Sequence, residues 1–155
     1  MRAKLISATG LLGLSIALVL APGGELRAQA ADMKFQAFLL WGTDNATPPA
    51  GKTYQPVAAE IRNKLKELPI KWTNWFEVNR KNFTVSQREV SEVAISEKCH
   101  VKVKKIGDSD LEVSLIGKGK EVMKRRQSLP QGELLVLGGN APNSTAWLVV
   151  LKRTD

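Results

Sequence analysis

Phe35-Gln36-Ala37-Phe38-Leu39-Leu40-Trp41 is the stretch that decides the fold, because it is apolar on both alternating faces except at Gln36. Successive strand residues point to opposite faces, so such a run predicts a strand covered on two sides. Leu134-Leu135-Val136-Leu137 and Ala146-Trp147-Leu148-Val149-Val150-Leu151 read the same way. Between them lies Gly138-Gly139-Asn140-Ala141-Pro142-Asn143, a run of turn formers that predicts a hairpin. These three segments are expected at the centre of a sheet.

Working outward, Gly42 ends the first strand, and residues 43–55, with Pro48, Pro49 and Gly51, form a loop. Pro56 suits the first position of a helix, where its missing N–H is not needed. Ala58, Ile61, Leu65 and Leu68 then recur at helical spacing, giving an amphipathic helix over about 56–68 that Pro69 stops and that packs its stripe on the sheet. Residues 70–78 read as a strand, Asn79-Arg80-Lys81-Asn82 as a turn, and 83–85 and 90–95 as short strands. Cys99, Val101 and Val103 alternate with His100, Lys102 and Lys104, and Leu111, Val113 and Leu115 alternate with Glu112, Ser114 and Ile116. Turns fall at 107–110 and 117–119, and 122–129 is a weakly patterned strand. This is an antiparallel meander with one wet face. The fold class is α+β, mostly antiparallel β, with one helix on a sheet of about seven to nine strands; a small β-barrel or sandwich is the alternative.

Residues 1–30 read as a signal peptide. Arg2 and Lys4 precede an uncharged apolar run over 5–21, Pro22-Gly23-Gly24 breaks it, and Ala28-Gln29-Ala30 supplies the small-x-small cleavage pattern. Cleavage after Ala30 leaves residues 31–155, a single exported β-rich domain, periplasmic or extracellular. The apolar run is 17 residues, shorter than the roughly 20 a membrane span needs, so no transmembrane segment is expected in the mature chain. Cys99 is the sole cysteine, which leaves no intramolecular disulfide and no thiolate metal site.

The chain has 23 Lys and Arg against 15 Asp and Glu. Without Arg2, Lys4, Arg27 and Glu25 the balance is 20 against 14, a net charge of +6. Residues 98–126 hold nine of the basic residues and four of the acids. Lys102, Lys104, Lys124 and Arg126 are expected on the wet face of the meander and Lys118 and Lys120 at its tip, as contacts for an anionic partner: an envelope protein, an anionic polymer or a lipid surface. The segment contains no aromatic residue, so no specific nucleic-acid partner is expected. Elsewhere, Trp72 and Phe76 share one face of the 70–78 strand. Trp75 shares the other with Glu77 and is the expected exposed aromatic contact.

No catalytic constellation emerges. Cys99 and His100 adjoin but point to opposite faces. Asp108-Ser109-Asp110 and Gly117-Lys118-Gly119-Lys120 read as turns, there is no Gly-x-Ser-x-Gly elbow and no zinc spacing; no cofactor, metal or catalytic residue is assigned. The expected function is a non-enzymatic interaction module of the bacterial cell envelope that uses its basic meander face. Two alternatives stand beside it. One is a small carbohydrate-active hydrolase whose carboxylates converge near Trp75, and the other a structural subunit of an envelope or secretion assembly.

Trp72-Thr73-Asn74-Trp75-Phe76-Glu77-Val78-Asn79-Arg80, with Gly132-Glu133-Leu134-Leu135-Val136-Leu137-Gly138-Gly139 and Thr145-Ala146-Trp147, resembles a group of small exported bacterial proteins without established activity. The resemblance spans most of 34–152 and brings no site residues. The 132–139 segment is also similar to a strand in the secretin domain of outer-membrane secretion channels, which implies an envelope-associated module.

Overall fold

A computed structural model describes residues 31–87, 89–141 and 145–155. The signal peptide expected over 1–30 lies outside the described residues. The chain runs β1 (Met33–Thr43), β2 (Gln55–Pro56), α1 (Ala59–Lys66), β3 (Asn74–Val85), β4 (Val90–Ser96), β5 (Cys99–Lys105), β6 (Asp110–Gly117), β7 (Lys120–Ser128), β8 (Leu134–Asn140) and β9 (Ala146–Arg153). The strands form a five-stranded sheet of order β2-β3-β1-β9-β8 and a four-stranded meander β4-β5-β6-β7. Every pairing is antiparallel, and neither sheet closes into a barrel.

The two-sided apolar pattern of β1 is explained by its neighbours. Met33, Phe35, Ala37 and Leu39 face the meander and join one core with Val101, Val103, Leu111, Val113, Leu115, Val149 and Leu151. Phe38 and Leu40 face the other way, with Leu148 and Val150, onto Val57, Ile61 and Leu65 of the helix layer. The molecule therefore has three layers: meander, five-stranded sheet and helix. Each fully buried side chain such as Phe35, Leu40 or Leu151 stabilises this arrangement by about 1.5–3 kcal/mol relative to exposure.

Three local expectations are corrected. Asn79, Arg80, Lys81 and Asn82 make no turn: β3 runs straight through them, paired to Leu39, Phe38, Ala37 and Gln36 of β1. A ladder to a central strand overrides the turn propensity of four polar residues. Trp72 precedes β3 and is buried. Pro56 does not begin the helix; it sits in β2 opposite Phe76, at a sheet edge where proline is tolerated, and Ala58 takes the N-cap position.

The two ends of the sandwich differ. At one end Phe35 stacks on Phe83 with centroids 5.5 Å apart, and Leu129 is buried as a plug. The Leu129 N–H donates to the Ser109 carbonyl at 2.8 Å, and the Arg153 guanidinium donates to the Leu129 carbonyl and Ser109 Oγ, each at 3.3 Å. The opposite end, where β1 runs out toward Trp41 and β5 begins at Cys99, is open.

Candidate functional site

The basic face expected on the meander is present, and its charges lie in rows set by the strand register. Lys104, Glu112 and Arg126 are direct cross-strand neighbours, as are Glu92, Lys102, Ser114 and Lys124. In the first row two cations flank a carboxylate; in the second Glu92 neighbours Lys102, and Ser114 separates Lys102 from Lys124. Arg126 Nε donates to Glu112 Oε2 at 2.8 Å, Lys124 Nζ lies 3.8 Å from Glu112 and 3.6 Å from Glu121, and Lys102 Nζ lies 3.5 Å from Glu92. The Arg126 hydrogen bond, together with the Lys124 and Lys104 charges, holds the Glu112 carboxyl below its ordinary range. His100 points to this same face, its Nδ1 3.1 Å from Glu92 Oε1. Cys99 packs against the core between the sheets, so the two are on opposite faces as expected. Much of the positive charge on this face is already answered by carboxylates.

Trp75 is not the exposed aromatic of the sequence reading. It is half-buried against the helix-side core. Its Nε1 donates to the Trp72 carbonyl at 3.2 Å, its ring meets Trp72 edge-on at 6.4 Å, and the ring lies over Gly42, where a Cβ would stand 2.5 Å from its carbons. The exposed tryptophan is Trp147, 40 % accessible, although the sequence places it in a segment covered on both sides. Direct cross-strand pairing aligns Trp147 with Trp41 and Trp41 with Phe76. Trp41 lies 6.0 Å from Phe76 and 6.1 Å from Tyr54 of the loop between β1 and β2, measured between ring centroids.

Trp147 and Tyr54 of this aromatic group border a cleft of about 720 Å³ in the open end of the sandwich. Leu39 and Val149 of the five-stranded sheet and Leu115 of the meander form its buried floor, with half-buried Val78 and Cys99 beside them. Trp147, Tyr54 and Val122 stand at its mouth with Lys52, Lys98, Lys118 and Glu97. Burial pushes the Cys99 thiol upward from its ordinary value, so it is a neutral apolar wall and not an activated nucleophile.

The cleft exists because the ladders slip there. Val78 is an extra residue in β3 between the Leu39–Asn79 and Leu40–Glu77 pairs, Ile95 is extra in β4 beside Ser96 and Cys99, and Val122 is extra in β7 between Met123 and Glu121. Bulges re-aim side chains and bend strands. Two of the three bulged residues, Val78 and Val122, line the cleft. The carbonyl of the third, Ile95, accepts a hydrogen bond from Asn79 Nδ2 at 2.6 Å, which ties the two sheets together behind it.

The rim charges differ from those of the meander face. Among the described residues, Lys52, Lys98 and Lys118 have no carboxylate partner. Lys118 and Gly119 have φ of 49° and 77°, the left-handed pair of a type I′ hairpin turn, and the Lys118 N–H donates to the Lys98 carbonyl at 2.8 Å. That bond pins two of the three lysines side by side. Lys120 follows on the outer side of the hairpin, exposed.

No protein-family model, curated protein or solved structure matches the chain. Among the described lining residues Glu97 is the only carboxylate, and among the described residues no group of three His, Cys, Asp or Glu is placed to hold a metal ion. No helix of the described residues is long and apolar enough to cross a membrane. Of the partner contacts expected from sequence, Lys118 alone lines the cleft, with Cys99 beside it as a wall residue. In the sequence Trp147, Val78 and Leu39 carry only the pattern of core or strand residues. The one sequence trace of the site is Val122-Met123, two adjacent apolar residues that break the alternation of β7 and mark its bulge.

Proposed function

We propose that this chain is a non-enzymatic binding domain of the bacterial cell envelope, and that it binds its ligand in the open end of the sandwich. The observation that carries the reading is the cleft itself: a floor of buried aliphatic side chains between two sheets, bordered by an exposed tryptophan. Its volume of about 720 Å³ lies in the range of small-molecule sites, and ligand sites combine such apolar walls with a few polar groups at the mouth. The export pattern in residues 1–30 supports an envelope setting. The outer meander face is a weaker site, because its rows pair Lys102, Lys124 and Arg126 with Glu92 and Glu112.

The test is uptake of a neutral apolar dye, Nile red, by the folded protein. Wild type should enhance its emission saturably. Cys99→Phe, which fills the cleft wall, should weaken uptake about tenfold while leaving the circular dichroism spectrum unchanged, and charge reversal at Lys102, Lys104 and Lys124 should leave uptake intact. Absence of saturable uptake by wild type, or equal uptake by folded Cys99→Phe, overturns the cleft as the site. Loss of uptake on charge reversal moves the site to the meander.

A further inference from the structure

We infer that the cleft takes a monomeric single-chain acyl anion: an aliphatic tail on its floor and a carboxylate at its mouth. This rests on the proposal that the cleft is the binding site and adds the chemistry of its occupant.

Three observations converge. The floor, from Leu39, Val78, Leu115 and Val149, offers aliphatic walls with no charged group, so the buried part of a ligand must be apolar. The mouth gathers Lys52 from the loop before β2, Lys98 from the β4–β5 turn and Lys118 from the β6–β7 turn, three cations delivered by separate segments against one carboxylate, Glu97. Among the described residues none of the three is neutralised, whereas Lys102, Lys124 and Arg126 on the outer face are. Unpaired like charges held together around an apolar opening favour an anion there. The third observation is the backbone at Lys118. Its φ of 49° is a left-handed conformation that glycine or asparagine adopts at lower cost. A lysine kept at that strained position puts its ammonium at the rim.

Charge and shape together select among ligands. A neutral sugar has no tail for the floor. A nucleic acid has charge but meets no described basic-aromatic track leading away from the mouth. A bilayer surface would need the cations spread over a flat face, not gathered round a hole.

Laurate, below its micelle concentration, is the probe, read by displacement of Nile red and by protection of Cys99 from iodoacetamide. Laurate should displace the dye about tenfold more tightly than lauryl alcohol, and the difference should shrink as salt rises. Lys52→Gln, Lys98→Gln and Lys118→Gln should each weaken laurate about two- to fivefold and leave lauryl alcohol unchanged; Lys102→Gln should change neither. Equal displacement by laurate and the alcohol, with dye still bound, overturns the anion selectivity but leaves the cleft as the site. Loss of dye binding itself overturns both. Capture by phosphatidylglycerol vesicles without any laurate displacement assigns the lysines to a lipid surface and overturns the monomeric ligand.

Discussion

Gly42→Ala tests whether Trp75 is a packing residue of the helix layer. The new Cβ would stand 2.5 Å from two ring carbons of Trp75, against an ordinary carbon–carbon contact of about 3.5–4.0 Å. The ring must therefore retreat by about 1 Å. It cannot do so freely, because Nε1 is bonded to the Trp72 carbonyl and the ring edge abuts Trp72. Overpacking of this kind costs about 1–3 kcal/mol. Opposing it, alanine in a strand is favoured over glycine by about 0.5–1 kcal/mol. The overlap wins, and the net loss is about 0.5–2 kcal/mol, or roughly 4 °C in Tm per kcal/mol. The decisive arm is the same substitution in a Trp75→Leu background, where the shorter side chain leaves the space open. There the sign reverses, and Gly42→Ala stabilises by about 0.5–1 kcal/mol. Urea denaturation of the four proteins gives the coupling energy, expected at about 1–3 kcal/mol. A Gly42→Ala effect of the same sign and size in both backgrounds refutes the placement of Trp75 over Gly42 and restores it as the exposed aromatic contact.

Three further outcomes are expected. The Glu112 carboxyl titrates below its ordinary 4.5 because Arg126 hydrogen-bonds it; a group depressed in the folded state stabilises above its unfolded value and loses that contribution as pH falls through the folded one. Glu112→Gln should thus be less stable than wild type at neutral pH, and the gap should close in urea titrations carried below pH 4.5. Lys118→Asn suits the left-handed turn position better and should raise stability by about 0.5–1 kcal/mol while weakening laurate, so Tm and affinity move in opposite directions. The Cys99 thiol, pushed upward by burial, should alkylate slowly at neutral pH and accelerate only above pH 9.0, its ordinary value, unlike a free thiol in urea.

The sequence is most legible where burial alone sets the pattern. Residues 35–41 announce a strand covered on both faces, and β1 is the shared wall of two cores. Alternation around Cys99 and His100 places them on opposite faces because the pairing of β5 with β6 runs unbroken from Cys99 to Lys105. Legibility fails where a neighbour decides. Asn79 to Asn82 look like a turn in isolation, and only the ladder to β1 makes them strand. Trp147 belongs to an apolar run yet emerges at the surface, because the meander ends opposite it in the bulged start of β7 and the Lys118 hairpin, leaving a space where a covering strand would stand. The cleft depends on three one-residue slips, at Val78, Ile95 and Val122. A slip is a relation between two strands, and composition within either one scarcely records it.

β7 bonds to β6 on one side only, so its other side offers unpaired backbone groups along a strand of nine residues. Such a border is a template on which a second molecule can lay its own strand. Glu121, Lys124, Arg125, Arg126 and Gln127 are all exposed along it, and two copies meeting there would crowd cation against cation and strip each of water. Charge reversal or removal along this border should therefore promote edge-to-edge association, read as a rise in light scattering with protein concentration.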